Sequence, residues 1–92
     1  PILTFKTFDE VIERANDNDL GLCSYLYTNS MDKAHIGSEK LESGCVAVNT
    51  GVVALAEAPF GGIKQTGYGR EGGSGAIKDY LNVKYTHMGL KI

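Results

Sequence analysis

Between Ala58 and Gly73 the chain reads A-P-F-G-G-I-K-Q-T-G-Y-G-R-E-G-G, and residues 61–75 hold seven of its 12 glycines. A segment this dense in glycine and this interleaved with charge cannot serve as a core helix or strand. Glycine inside either element costs about 0.5–1 kcal/mol relative to alanine. The segment instead calls for a backbone-shaped loop running into a helix start, where binding surfaces are commonly built. It separates a periodic first part of the chain from an irregular second part.

The periodic part alternates between two kinds of pattern. Ile2 to Phe5 is a short apolar run suited to a strand. Thr7-Phe8-Asp9-Glu10 matches a capping box, in which a hydroxyl and a carboxylate satisfy backbone amides at a helix start. The following helix places Val11, Ile12 and Ala15 on one stripe, and Asn16 to Asp19 with Gly21 ends it. Leu22 to Thr28 predicts a second strand. Ser30 can cap a second helix, with Asp32 in its favourable first turn. Ala34, Gly37, Ser38 and Leu41 give that helix a narrow face for close packing. Gly44 stops it, and Cys45 to Asn49 predicts a third strand, apolar throughout as for one covered on both faces. The order β-α-β-α-β is that of an α/β fold with parallel strands joined by crossovers.

Beyond Asn49 the rhythm breaks. Thr50 to Phe60 has no clear period. From Ala76 a short helix is expected, with Ile77, Tyr80 and Leu81 facing the core. Asn82 to His87 alternates Val83, Tyr85 and His87 against Lys84 and Thr86, the pattern of a half-exposed strand. Such a set of elements leaves sheet edges and helix backs without cover. More of the same chain or a partner must supply it.

Composition excludes several classes. With 42% apolar and 22% charged residues in 92, the chain is ordinary globular material. A domain of this length hides only about 60–65% of its unfolded surface. A net charge of -2 gives no electrostatic case for nucleic acid or an anionic membrane. The longest apolar run, Gly51 to Ala56, falls far short of the roughly 20 residues of a membrane span. No secretory signal is visible, and a start at Pro1 without Met suggests a piece of a longer chain. Cys23 and Cys45 lie among apolar or small residues, so both are expected reduced and buried.

Several constellations mimic chemistry. Gly67-Tyr68-Gly69-Arg70-Glu71-Gly72 satisfies G-x-G-x-x-G, but a dinucleotide fingerprint needs a strand directly before it and a crossover helix after it. A glycine-proline loop stands there instead. Cys45 opens a buried strand with no histidine near in sequence, which favours an inert thiol. His35 and His87 lack a second ligand at helical spacing, so no metal site is expected. Arg70 and Glu71 suggest a loop-holding ion pair.

The whole chain resembles the C-terminal end of NAD(P)-dependent aldehyde dehydrogenases. Pro1 fits the end of the family's E-x-F-G-P motif. Ala15-Asn16, Leu20-Gly21-Leu22 and Tyr27-Thr28 fit A-N-x-x-x-x-G-L-x-x-x-[VI]-[FY]-[ST]. Leu41-Glu42-Ser43-Gly44, Val46 and Val48-Asn49 fit L-E-x-G-x-V-x-[VI]-N, and Pro59 to Gly73 follows in register. Within the superfamily, Asn49-Thr50-Gly51, Ala58 to Gly72 and the tail Lys84-Tyr85 with Gly89-Leu90 are most similar to succinate-semialdehyde dehydrogenases. The resemblance implies an α/β, three-layer β-α-β-α-β piece of the catalytic domain over residues 1–81. Within it lie a substrate-entrance loop at about 50–62 and the glycine-rich segment 61–75. Residues 82–92 would form an oligomerisation strand and tail.

The resemblance also implies a chemistry. A cysteine attacks the aldehyde, hydride passes to NAD or NADP, and a glutamate-activated water hydrolyses the thioester. The nucleophile and base lie upstream of this chain, so the piece alone is expected to be inactive, to bind no cofactor and to contain no catalytic residue. Ala54, Leu55 and Phe60 fall where the family lines its aldehyde tunnel. Succinate-semialdehyde enzymes usually carry a serine near 54 or 55 for the substrate carboxylate. Ala54 and Leu55 supply no such donor, which admits a longer or less polar aldehyde. Residues 82–88 would join a neighbouring subunit of a cytoplasmic homo-oligomer. Two other classes remain open: an anion-binding module using amides near Gly72 to Gly75, and an interaction domain using the tail for β-augmentation.

Overall fold

The computed structural model describes residues 1–91. Helix α1, Phe8–Asn16, starts where the capping pattern places it. Thr7 is extended, and its Oγ1 accepts from the Glu10 amide at 3.1 Å. Glu10 returns the bond one residue earlier than expected, Oε2 accepting from the Lys6 amide at 2.8 Å. Helix α2, Met31–Lys40, is capped by Ser30, whose Oγ accepts from Lys33 at 3.3 Å.

Strands β2, Cys23–Leu26, and β3, Cys45–Val48, pair in parallel with Cys23 opposite Cys45 and Leu26 opposite Val48. With α2 between them in sequence they form one β-α-β unit. Its centre is small: Ile12 on α1 and Ala47 on β3 are the buried apolar side chains among the described residues. Gly37 lets α2 sit close to the sheet, since a Cβ there would fall 2.5 Å from Leu26 Cδ2.

A second sheet was not legible. Strand β1, Leu20–Gly21, pairs antiparallel with β4, Ile63–Lys64. It draws the glycine-rich segment back onto the start of the β-α-β unit. Lys64 locks this junction: its Nζ donates to Asn16 O at 3.1 Å and Asn18 O at 3.2 Å, and meets Glu42 Oε2 at 2.7 Å. Asn16 completes it by donating to Lys40 O and accepting from the Glu42 amide.

Two expectations need correction. Ile2 to Phe5 forms no strand; Ile2 is 97% exposed, and the segment is tied down by Arg14 donating to Thr4 O at 2.8 Å. Among the described residues the unit is therefore β-α-β, without the first strand of the expected three-layer β-α-β-α-β arrangement. Ala76–Tyr80 is a 3-10 helix with Ile77, Tyr80 and Leu81 exposed instead of facing a core. Residues 82–88, read as a strand that joins a neighbouring subunit, enter no ladder among the described residues of a single chain. The cause is common to all three segments: a strand needs a partner for its amides and carbonyls, and a helix stripe needs a surface to cover.

The surface measures this deficit. The chain exposes 7904 Å², against about 5,200 Å² for a compact protein of the same mass. Its radius of gyration is 19.0 Å, against about 12 Å for a compact domain of this length. Among the described residues no helix is long and apolar enough to cross a membrane.

Candidate functional site

The site begins where β3 ends. Asn49 takes φ 56°, and its side chain brackets Thr28 by accepting from the amide at 2.8 Å and donating to the carbonyl at 2.9 Å. The chain turns there into loop 50–60. That loop is pinned against the glycine-rich segment by backbone bonds alone. Phe60 and Glu71 exchange both amide-to-carbonyl bonds at 2.7 and 2.8 Å. The Gly73 amide donates to Ala56 O at 2.9 Å, and the Ala58 amide to Leu55 O at 3.1 Å.

These ties bring Ala54, Leu55 and Phe60 to one open depression of about 330 Å³, completed by Ala56, Glu71 and Gly72. Phe60 is half-buried and Leu55 exposed. The depression's lining is mainly apolar, with Glu71 its one charged residue. Phe60 also forms a wall of a second cavity of about 410 Å³, shared with Leu22, Tyr68, Arg70 and Asp79. An apolar ring between two cavities can pack an aliphatic chain and exclude water, but it transfers no proton.

Arg70 is spent on holding the loop. Arg70 does not pair with Glu71 as expected. Its guanidinium donates to Gly62 O at 2.8 Å and Gly69 O at 2.7 Å. The Arg70 amide donates to Asp79 Oδ2 at 3.2 Å. Of the amides near Gly72 to Gly75, that of Gly73 already donates to Ala56 O, and the 3-10 helix that follows has only five residues, too few for an N-terminal anion site. G-x-G-x-x-G likewise follows the two-residue antiparallel β4 and precedes that 3-10 helix, so it does not fit a dinucleotide.

Cys23 and Cys45 are half-buried, not buried, and face each other across the parallel pair. Burial pushes the Cys23 thiol above its ordinary pKa, and the adjacent Cys45 adds to the rise. Cys45 Sγ stands 3.9 Å from Gly61 O. His35 and His87 are exposed, and among the described residues no cluster of metal-ligating side chains occurs.

Sequence reasoning missed Lys64, Asn16, Thr66 and Asp79. Thr66 Oγ1 accepts from the Gly21 amide, 45 positions away, at 2.8 Å. Contacts this distant leave no local pattern.

The aldehyde dehydrogenase family model matches residues 1–86. The chain belongs to the aldehyde dehydrogenase family. It is 47% identical to a 3-sulfolactaldehyde dehydrogenase from Pseudomonas putida, over 97% of this chain and 18% of that protein. It is 44% identical to an NADP(+) succinate-semialdehyde dehydrogenase from Escherichia coli strain K12, over 98% of this chain and 19% of the relative. It superimposes on the NAD+ complex of an aldehyde dehydrogenase from Bacillus cereus with a TM-score of 0.90 and 42% identity, covering 97% of this chain and 18% of the other. The chain thus spans less than a fifth of the length of the relatives it matches.

Proposed function

We propose that this chain is the C-terminal part of an enzyme that oxidises an aldehyde to its carboxylic acid with NAD(P)+, through a cysteine thioester formed outside this segment. The observation that carries the reading is the family match over residues 1–86, joined to the gathering of Ala54, Leu55 and Phe60 in one depression. The G-x-G-x-x-G run does not fit a dinucleotide, and in this reading the chain's part is with the aldehyde. Loop 50–62 forms one wall of the substrate entrance. Phe60 packs against the substrate's carbon chain and keeps water from the reacting centre. By itself the chain is inactive, and turnover by the 92 residues alone would refute that.

The substrate is a small semialdehyde, such as succinate semialdehyde, in keeping with the relatives' names. A second reading has one observation behind it. The depression offers an apolar lining with Glu71 as its charged group and no hydroxyl at 54 or 55. That lining suits a longer or less polar aldehyde.

Phe60→Ala in the intact enzyme tests the wall. Losing one aromatic contact of about 2 kcal/mol should lower kcat/KM for the aldehyde roughly 30-fold. NAD(P) affinity should stay unchanged. Equal kcat/KM in mutant and wild type would remove Phe60 from the entrance.

The whole enzyme is a cytoplasmic homo-oligomer in this reading, with residues 82–88 joining a neighbouring subunit's sheet. Exposed Val83 and Tyr85 alternate as an edge strand awaiting a partner would. Ending the enzyme after Leu81 should therefore lower its oligomeric state in sedimentation. An unchanged sedimentation coefficient per subunit would overturn the assignment.

A further inference from the structure

The first residues of β2 and β3 are both cysteines, and they are direct partners in the parallel register. Side chains of register partners stand on the same face of a sheet, because the strand period is two. Neighbouring strands lie about 4.8 Å apart. A disulfide accepts Cα separations of about 4.4–6.8 Å. We propose that Cys23 and Cys45 form a reversible disulfide across β2 and β3, a redox-modification site for hydrogen peroxide separate from the aldehyde entrance.

Access and environment favour this. Both cysteines are half-buried, and Cys23 lines an open cavity of about 320 Å³ with Leu22, Ser24, Glu42 and Ser43. That opening is wide enough for a small neutral oxidant, and the peroxide treatment below reads whether it stays open in the intact enzyme. The raised pKa of Cys23 disfavours its thiolate.

The chemistry balances in two steps. One thiolate sulfur attacks a peroxide oxygen; an S–O bond forms, the O–O bond breaks, and the departing hydroxide takes a proton to leave as water. The second thiolate attacks the sulfenyl sulfur; the S–S bond forms, the S–O bond breaks, and a second water leaves. Two thiols lose two electrons and two protons, and one peroxide becomes two waters.

The test uses the full-length enzyme under native conditions, because it reads these two residues apart from any other cysteine. Protein exposed to hydrogen peroxide is alkylated, digested without reductant and analysed by mass spectrometry. A cross-linked pair of peptides containing Cys23 and Cys45, two hydrogens lighter than their sum and separated by dithiothreitol, is the expected result. Cys45→Ser and Cys23→Ser should each abolish that pair. Recovery of both cysteines in alkylated form would overturn the proposal. So would their conversion to sulfinic or sulfonic acids without a linked peptide, or linkage of either to another cysteine.

Discussion

Gly44→Ala should cost the intact enzyme about 3 kcal/mol or more and leave little of it soluble. Gly44 joins the end of α2 to β3, and its amide donates to Gly21 O at 3.0 Å. At this point the glycine-rich segment passes directly over the strand. An added Cβ would overlap the Gly61 carbonyl oxygen and lie 2.8 Å from its carbon and 3.0 Å from Gly62 Cα. All three obstacles are backbone, so no side chain can swing aside. Relief requires separating the two segments. That would break the β1–β4 pairing and the Lys64 lock together, beyond the roughly 1–3 kcal/mol of ordinary overpacking. Gly51→Ala is the control, since a Cβ there meets nothing within 4 Å. Urea unfolding of wild type and both variants decides the matter. A Gly44→Ala midpoint equal to wild type would show that the two segments do not approach this closely in the intact protein.

That approach also marks the limit of what the sequence could reveal. Local rules placed α1 and α2 because capping acts over three or four residues: Thr7 with Glu10 and Ser30 with Lys33 are visible as letters. The β2–β3 pair was legible for a related reason, being two apolar runs separated by a helix. The strands at 2–5 and 82–88 were read from patterns that state what a segment can do when a partner is present. Neither segment finds a partner among the described residues, and neither becomes a strand there. The junction built by Lys64, Asn16 and Glu42 was invisible for the opposite reason. Its residues look like solvated surface until folding brings positions 16, 42 and 64 together. For the depression, family motifs pointed to Ala54, Leu55 and Phe60, whereas no period in residues 50–60 did. Cys23 and Cys45 illustrate the same limit, since register, not spacing, makes them neighbours.

Gly72→Ala should strike the proposed function hardest. Gly72 has φ 71°, a conformation that costs a residue with a Cβ about 1–2 kcal/mol. The new methyl would also sit 2.6 Å from Ala58 O and 3.6 Å from both Ala56 O and Leu55 O. Those carbonyls belong to the loop that carries the entrance wall. The loop must retreat, and the Gly73 bond to Ala56 and the Phe60–Glu71 bridge go with it. Strain and steric conflict together come to about 3 kcal/mol of stability. Displacing a substrate-positioning wall by about 1 Å can cost roughly 10²-fold in kcat/KM, and that loss should appear here without a change in NAD(P) affinity. Gly67→Ala separates the two causes, because Gly67 has φ 121° but open space around a Cβ. That variant should lose stability and keep its aldehyde kinetics. Wild-type kcat/KM in a folded Gly72→Ala enzyme would mean that the loop's seat on residues 71–73 does not shape the substrate entrance.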